Sequence, residues 1–123
     1  MTDYIIVIPA RYKSTRFPGK PLIDIFGKSM LQRVYEKCKK ITNEKNIIIA
    51  TDSHIISSHC KLNKMNFIIT SNKCLTGTDR VAEVAKKIKK KFYINVQGDE
   101  PLVQPKDITK ILIKSKKKSK SNL

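Results

Sequence analysis

The stretch YIIVIPARYKSTRFPGKPL, from Tyr4 to Leu22, carries the main indication of the fold. It opens with an unbroken apolar run, Tyr4–Ile8, which is typical of a parallel strand that is covered on both faces. A proline-containing loop follows at once, and in open α/β sheets ligands bind outside the carboxyl ends of the strands. Cations gathered at such a position favour a polyphosphate ligand. The polar side chains of this loop are those of Arg11, Lys13, Ser14, Arg16 and Lys20.

The rest of the chain alternates between apolar runs and amphipathic segments. Three more strands are predicted at Asn46–Ala50, Asn66–Thr70 and Phe92–Val96. Helices are predicted over residues 29–41, from 52 or 53 to 63, over 79–90, and from about Lys106 onward. The βαβαβαβα order favours a three-layer α/β/α, Rossmann-like sheet that is mostly parallel, with right-handed crossovers. In a doubly wound sheet these strands take the order 3-2-1-4.

That strand order places the loop after the fourth strand opposite the loop after the first. The fourth strand leads into NVQGDEPL, residues Asn95–Leu102, which carries Asp99 and Glu100 at the same edge of the sheet. A carboxylate that faces a polyphosphate suggests a Mg²⁺ ligand, because Mg²⁺ prefers hard oxygen donors. The alternative is a Gly-Asp turn whose acids are simply solvated.

A third motif, TGTDRVAE over Thr76–Glu83, precedes a helix. Thr78 or Asp79 is predicted to cap that helix. Capping does not account for Gly77 together with Arg80, so a loop that binds a base or a ribose is a further interpretation. The helix is expected to face the core with Val81, Val84, Ala85 and Ile88.

The formal net charge of +16 raises the possibility of a nucleic-acid partner. Much of it lies in two lysine runs, Lys86–Lys91 and Lys114–Lys120, without interleaved aromatic residues. Lysine is common along the whole chain, whereas arginine occurs only four times, and three of the four arginines lie in the predicted ligand loops. The composition therefore disfavours nucleic acid as the partner.

Two domain-level expectations follow from the pattern. Residues 1–113 are expected to form one nucleotide-binding half-domain, and residues 114–123 a basic, disordered tail. The fourth strand would lie at an edge of the sheet although it is apolar, and an exposed apolar edge promotes association. We therefore expect the chain to be the first part of a larger fold, or a partner to cover that edge.

Cysteine and histidine placement points away from a transition-metal site. Cys38, Cys60 and Cys74 have no CxxC spacing, and His54 and His59 are five positions apart. The odd number of separated cysteines fits a reducing cytoplasm. The sequence has neither the pattern of a signal peptide nor an apolar run of about 20 residues that would span a membrane.

The three motifs VIPARYKSTRFPGKPL, TGTDRVAEV and NVQGDEPL, in this order and spacing, resemble the 3-deoxy-manno-octulosonate cytidylyltransferase family. The resemblance spans residues 4 to about 113 and implies a nucleotidyltransferase fold. It also implies transfer of CMP from CTP to 3-deoxy-D-manno-octulosonate (Kdo), which releases pyrophosphate and supplies lipopolysaccharide biosynthesis. Family members are about twice as long, so the resemblance covers their first half.

The resemblance implies a role for each matching residue. The triphosphate would be held by Arg11, Ser14, Arg16 and Lys20, and Asp99 would bind Mg²⁺. Arg11, Lys20 and Asp99 would be the catalytic residues, and Gln97 would lie near the sugar acid. Cytidine would be held by the backbone at Pro9–Ala10 and by the loop that contains Thr76, Gly77, Thr78 and Arg80.

Several alternatives stay open at this point. The sugar acid could be the 8-amino analogue of Kdo, because the sugar pocket lies mostly beyond the present sequence. The chain could instead be an inactive remnant, or a basic module that binds through charge. The expected partners are CTP and a sugar acid, with a homodimer or a second half-chain to complete the site, and no membrane.

Overall fold

The structure is a computed structural model that describes residues 3–13 and 18–98. Four parallel strands form the central sheet, and a two-stranded antiparallel hairpin lies beside it. The strands are β1 (Tyr4–Pro9), β2 (Asp24–Ile25), β3 (Lys28–Ser29), β4 (Ile47–Thr51), β5 (Phe67–Ile69) and β6 (Phe92–Asn95). The sheet order is β5-β4-β1-β6, so the predicted order 3-2-1-4 is confirmed.

Three helices connect the parallel strands, namely α1 (Met30–Lys39), α2 (His54–Leu62) and α3 (Gly77–Lys87). Short 3₁₀ segments occur at Lys20–Leu22 and Glu44–Asn46. Helices α1 and α2 pack on one face of the sheet, where Ile6 and Ile8 of β1 enter the larger core cluster. Helix α3 packs on the other face, where Ile5 and Val7 point. The predicted three-layer α/β/α arrangement is thereby confirmed.

Helix α1 begins where the sequence predicts. Ser29 is the N-cap: its side chain accepts a hydrogen bond from the Gln32 N–H, and the Gln32 side chain accepts one from the Ser29 N–H. This reciprocal pairing is a capping box, which satisfies two amide groups that a helix start leaves without partners. The helix ends at Lys39, before the predicted Ile41.

Helix α3 begins earlier than predicted. Thr76 is the N-cap, and Asp79 occupies the third helical position, where it completes a second capping box. The predicted caps, Thr78 and Asp79, were therefore wrong, because Asp79 closes the cap from inside the helix instead of starting it. The helix also ends at Lys87 and not at Lys90, and its C-cap residue Ile88 has an extended backbone.

The hairpin β2–β3 was not predicted. Its turn residues Phe26 and Gly27 both have positive φ angles, 51° and 91°, as the favoured two-residue hairpin turns require. Phenylalanine seldom takes this conformation, so the sequence carries no standard turn signal. The Arg33 side chain donates hydrogen bonds to the carbonyl groups of Ile25 and Phe26 and thereby stabilises the turn.

Some predictions fall on other parts of the chain. The helix from Lys106, the tail over residues 114–123 and the limits of the half-domain lie wholly or partly outside the described residues. Within residues 3–13 and 18–98, no helix is both long enough and apolar enough to cross a membrane.

A polar cluster joins the start of α1 to α2. The His59 Nε2 atom lies 2.7 Å from Ser29 Oγ, and its Nδ1 atom lies 3.3 Å from Asn63 Nδ2. Ser29 Oγ already accepts from the Gln32 N–H, and Asn63 Nδ2 is a donor. The partners therefore favour a neutral imidazole that donates through Nε2 and accepts at Nδ1.

We expect this cluster to make folding stability depend on pH. Burial lowers the pKa of His59 in the folded chain. The contribution of His59 to the free energy of unfolding is therefore fully present above its unfolded pKa of about 6.5. It is lost as the pH falls through the lower pKa of the folded state. Urea unfolding should show that the free energy of unfolding falls more between about pH 7.5 and about pH 5 in the parent chain than in His59→Gln. His54→Gln, at an exposed position on the same helix, is the matched control, and a loss in His59→Gln equal to that of the parent would contradict this expectation.

Candidate functional site

A cleft lies at the carboxyl ends of β1 and β6, where the strand order predicts a ligand site. Its volume is about 210 Å³. It is lined by Pro9, Ala10, Arg11, Lys20, Pro21, Gly77, Arg80 and Gln97. All of these except Pro21 belong to the residues singled out from the sequence. The fold thus brings the three motifs to one cleft.

The floor of the cleft is backbone that continues the sheet beyond its strands. The Ala10 N–H donates to the Ala50 carbonyl at 2.9 Å, and the Gly98 N–H donates to the Pro9 carbonyl at 3.3 Å. The ends of β1 and β6 are therefore tied side by side. As a result, the Pro9–Ala10 backbone and Gln97 lie next to one another although they are far apart in sequence.

Two cations of the first loop reach the cleft. Arg11 is exposed and bridges two loops, since it donates to the Leu75 carbonyl at 3.4 Å and to the Lys13 carbonyl at 3.1 Å. Lys20 begins the 3₁₀ segment and is partly buried. This arrangement puts positive charge on the cleft wall and suits an anionic ligand.

The loop between these cations is closed at its base. The Gly19 N–H donates to the Tyr12 carbonyl at 2.6 Å, and Gly19 has a left-handed φ of 75°. A Cβ atom at Gly19 would lie 3.1 Å from the Tyr12 ring. Glycine is therefore needed here for both its conformation and the close approach of the ring. The two predicted residues Ser14 and Arg16, inside this loop, lie outside the described residues.

Arg80 takes a position that the sequence did not indicate. It is 1% exposed, although it was predicted in a loop that binds a base or a ribose. Its Nη1 atom donates to Thr70 Oγ1 at 2.6 Å and lies 3.8 Å from Asp52 Oδ1. Its Nε atom is buried without a hydrogen-bond partner among the described residues. Arg80 therefore lines the cleft from inside the protein.

Gly77 and Gln97 face each other across the cleft. A Cβ atom at Gly77 would lie 3.0 Å from Gln97 Nε2 and 3.3 Å from Pro9 Cγ. Gln97 is exposed, and its Nε2 donates to Asn95 Oδ1 at 3.4 Å. The absence of a side chain at position 77 leaves room for the Gln97 amide.

The remaining predicted site residues either do not line the cleft or lie outside the described residues. Thr76 and Thr78 are exposed beside the cleft, and the Thr76 hydroxyl is occupied as the helix cap, where it accepts from the Asp79 N–H at 3.0 Å. The predicted metal ligand Asp99 lies outside the described residues, as does Glu100.

Glu83 anchors the loop that leads into α3, a role that was not predicted from the sequence. Both of its carboxylate oxygens accept from the Ser71 N–H, at 3.0 and 2.9 Å, and Lys87 lies 3.2 Å away. The Ser71 N–H keeps the pKa of Glu83 below its usual value. Asp52 and Thr70 were also missed as contacts of Arg80. An aspartate and a threonine at such positions are typical of a helix cap or the end of a strand. No local sequence pattern links Asp52 or Thr70 to position 80.

We expect Gly98→Ala to destabilise the chain. A Cβ atom there would lie 3.1 Å from Leu31 Cδ1 and 3.2 Å from the Pro9 carbonyl oxygen, so a core side chain or the cleft floor must move. Such overpacking typically costs about 1–3 kcal/mol. Urea unfolding checks this cost. Gly27→Ala is a control for crowding, because a Cβ atom at Gly27 would have no neighbour within 4 Å, although its φ of 91° adds backbone strain.

Known proteins with similar sequences agree with this geometry. A family model described as cytidylyltransferase matches residues 5–123. The 3-deoxy-manno-octulosonate cytidylyltransferase of Escherichia coli is 43% identical over 112 residues, which cover 91% of this chain and 46% of that protein. The mitochondrial 3-deoxy-manno-octulosonate cytidylyltransferase of Arabidopsis thaliana is 45% identical over 104 residues, which cover 83% of this chain and 36% of that protein.

A solved structure supports the same relationship. A CMP:2-keto-3-deoxy-manno-octonic acid synthetase complexed with CTP superposes with a TM-score of 0.88 at 40% identity, and the match covers 94% of this chain and 48% of that one. The chain spans about half the length of the curated relatives it matches, or less. The resemblance drawn from the three motifs is confirmed, and the chain belongs to the cytidylyltransferase family.

Proposed function

We propose that the cleft binds CTP and that this chain supplies the nucleotide-binding part of an enzyme that makes CMP-Kdo. The observation that carries the proposal is the convergence of Arg11, Lys20, Gly77, Arg80 and Gln97 on one cleft at the switch point of the sheet. In the proposed reaction, the anomeric hydroxyl oxygen of Kdo attacks the α-phosphorus of CTP. The bond between the α-phosphorus and the oxygen that links it to the β-phosphorus breaks, and pyrophosphate leaves. The hydroxyl proton passes to solvent.

The triphosphate is assigned to the first loop. Arg11 and Lys20 bring two positive charges to the cleft wall, and Ser14 and Arg16 belong to the same loop. The guanidinium of Arg11 can give two parallel hydrogen bonds to a phosphate, whereas Lys20 acts as a compact charge. Transfer of a phosphoryl-type group depends mainly on such positioning and charge neutralisation.

The nucleoside is assigned to the Pro9–Ala10 backbone and to the Thr76–Arg80 loop. Pro9, Ala10, Gly77 and Arg80 line the cleft. Backbone groups and the buried guanidinium of Arg80 offer hydrogen bonds without a mobile charge. Gln97 is assigned to the sugar acid, because it is exposed and lines the cleft.

Asp99 is assigned as the ligand of Mg²⁺. It follows directly on Gly98, whose N–H is tied to the Pro9 carbonyl on the cleft floor, and a carboxylate oxygen is a donor that Mg²⁺ prefers. When bound, the ion would neutralise charge on the triphosphate. Arg11 and Lys20 supply the remaining neutralisation from this chain.

The proposed partners are CTP, Kdo and a second polypeptide surface. The cleft is smaller than the roughly 300–1,000 Å³ of typical ligand pockets, so its described walls enclose only part of a nucleotide and a sugar. A homodimer or a second half-chain is proposed to complete the sugar pocket. We place the reaction in the cytoplasm, which suits the free thiols of Cys38 and Cys60 in the core.

Pyrophosphate release from CTP in the presence of Mg²⁺ and Kdo tests this function. Release that requires Kdo is the expected result, and Asp99→Asn should abolish the Mg²⁺-dependent release. Asp24→Asn, in the hairpin turn, is the matched control. Release with 8-amino-Kdo but not with Kdo would reassign the sugar acid. A chain that binds CTP without releasing pyrophosphate would refute catalysis by this chain alone, and a chain that does not bind CTP would refute the proposal.

A further inference from the structure

Within residues 3–13 and 18–98, Arg80 is the one cationic side chain that is buried. Its side chain is 2% exposed, and each hydrogen bond and ion pair recorded for it among the described residues uses Nη1. The acceptors are Thr70 Oγ1 at 2.6 Å and the Ser71 carbonyl at 3.4 Å, with Asp52 Oδ1 at 3.8 Å. The other edge of the guanidinium, formed by Nε and Nη2, is the edge that binds planar acceptors in a forked manner.

Backbone pairing fixes the two residues that hold Nη1. Thr51 of β4 is paired with Ile69 of β5, and the Thr70 N–H donates to the Thr51 carbonyl at 2.9 Å. Asp52 and Thr70 are therefore adjacent at the carboxyl ends of neighbouring strands. Thr70 is 4% exposed and the Asp52 side chain is 27% exposed. The carboxylate thus remains partly hydrated while it faces a buried cation.

Burying a guanidinium is unfavourable unless each of its donors is satisfied. Nε is buried and has no partner among the described residues, although Arg80 lines the cleft. A buried donor of this kind needs an acceptor, which can be supplied by an ordered water molecule, an ion or a ligand. An acceptor atom of a bound ligand would satisfy the Nε–H group of Arg80. The proposed reaction itself gives no reason for this arginine to be buried.

We propose that Asp52 and Thr70 are positioning residues for the nucleotide cleft. They hold Nη1 against the ends of β4 and β5 and so present the Nε edge to an acceptor oxygen of the nucleoside part of the ligand. The inference rests on the proposed function, because it takes the ligand to be a cytidine nucleotide. Neither residue touches the ligand; each acts through Arg80.

The first test is spectroscopic. The chain has four arginines, so the Nε–H signals in a ¹H–¹⁵N spectrum are few, and Arg80→Lys identifies the one from position 80. We expect this signal to shift when CTP is added to the parent chain. In Asp52→Asn it should already differ before CTP is added, and its response to CTP should be reduced.

The second test separates positioning from folding. Asp52→Asn removes the charge and keeps the shape, and Thr70→Val removes the hydroxyl and keeps the branched side chain. Each should raise the Kd for CTP by about tenfold or more in calorimetric titration of folded protein, because a displaced Arg80 loses its charged hydrogen bond to the ligand. Cytidine and CMP should lose affinity by the same factor as CTP. Glu36→Gln is the control for the charge change, because Glu36 pairs with Lys28 at 2.7 Å on the surface, and it should leave affinity unchanged.

The possible failures are distinguishable. If the parent chain does not bind CTP, the proposed function is refuted and this inference falls with it. If the parent binds CTP and both variants bind it equally well, with an unchanged Arg80 signal, the positioning role alone is refuted. If the loss of affinity grows with the number of phosphates, Arg80 faces the triphosphate, and the assignment to the nucleoside is overturned.

Discussion

Replacing Lys20 with methionine is expected to lower the affinity of the chain for CTP by about 10- to 100-fold. Lys20 lines the cleft and starts a 3₁₀ segment whose position is fixed by the left-handed Gly19. Methionine keeps most of the aliphatic stem and removes the ammonium charge. Lys20 is proposed to contact the triphosphate, so the affinity for cytidine should change little. Calorimetric titration with CTP and cytidine measures both effects.

The matched control is Lys45→Met. Lys45 is exposed in the 3₁₀ segment that precedes β4, at the opposite end of the strands from the cleft. It makes the same change in net charge, so a general loss of attraction for anions would appear in both variants. An unchanged affinity of Lys20→Met for CTP, or an equal loss for cytidine, would show that Lys20 does not contact the triphosphate.

The second large effect concerns the core beneath the cleft. Leu31 of α1 is 0% exposed, and its Cδ1 atom would lie 3.1 Å from a Cβ atom at Gly98. It therefore supports the segment that joins β6 to the predicted metal ligand. Leu31→Ala should lower the free energy of unfolding by about 3 kcal/mol, within the usual range for a buried leucine that leaves a cavity.

Leu62 offers the matched comparison for this prediction. It lies at the end of α2 and is 81% exposed. Leu62→Ala removes the same atoms from an exposed side chain, so it should change the free energy of unfolding by no more than about 0.5 kcal/mol. Urea unfolding of both variants at one pH measures the difference. Equal losses would mean that Leu31 is not packed as described.

The order and pairing of the parallel strands were predictable because the apolar runs are short, uninterrupted and separated by helical patterns. A strand such as Tyr4–Ile8, apolar at every position, fits only a sheet that is covered on both faces. Right-handed crossovers then leave few arrangements, and the observed order is the one expected for a doubly wound sheet. The location of the cleft follows from that order.

Local conformations that depend on tertiary contacts were not predictable. The hairpin turn at Phe26 needs three hydrogen bonds from Arg33 of α1 to stabilise it, and nothing in the local sequence signals them. The start of α3 was misplaced because threonine and aspartate occur at two offsets in TGTDR, each of which could supply a cap. The cap that forms is the one that uses Asp79 twice, for the Leu75 and Thr76 N–H groups.

Arg80 shows why the interior of the site could not be predicted completely. The helical pattern correctly places Val84 in the core, and Val81 and Ile88 pack against it in part. Arg80 was predicted in a loop that binds a base or a ribose, and its burial was not predicted, since cations are rarely buried. Arg80 is buried because Asp52 and Thr70, from two other segments, provide its charge partner and its acceptor. Such a contact depends on the residue register of β4 and β5 at their carboxyl ends, which the strand order alone does not specify.

The most direct measurement is a calorimetric titration of this chain with CTP, UTP and ATP in the presence of Mg²⁺. We expect CTP to bind at least about tenfold more tightly than ATP, because the proposed site forms one or more hydrogen bonds that are specific to cytidine. We also expect this preference to persist as salt is raised. Equal affinities for all three nucleotides, falling together with salt, would indicate attraction of polyanions to a basic surface and would contradict a specific CTP site.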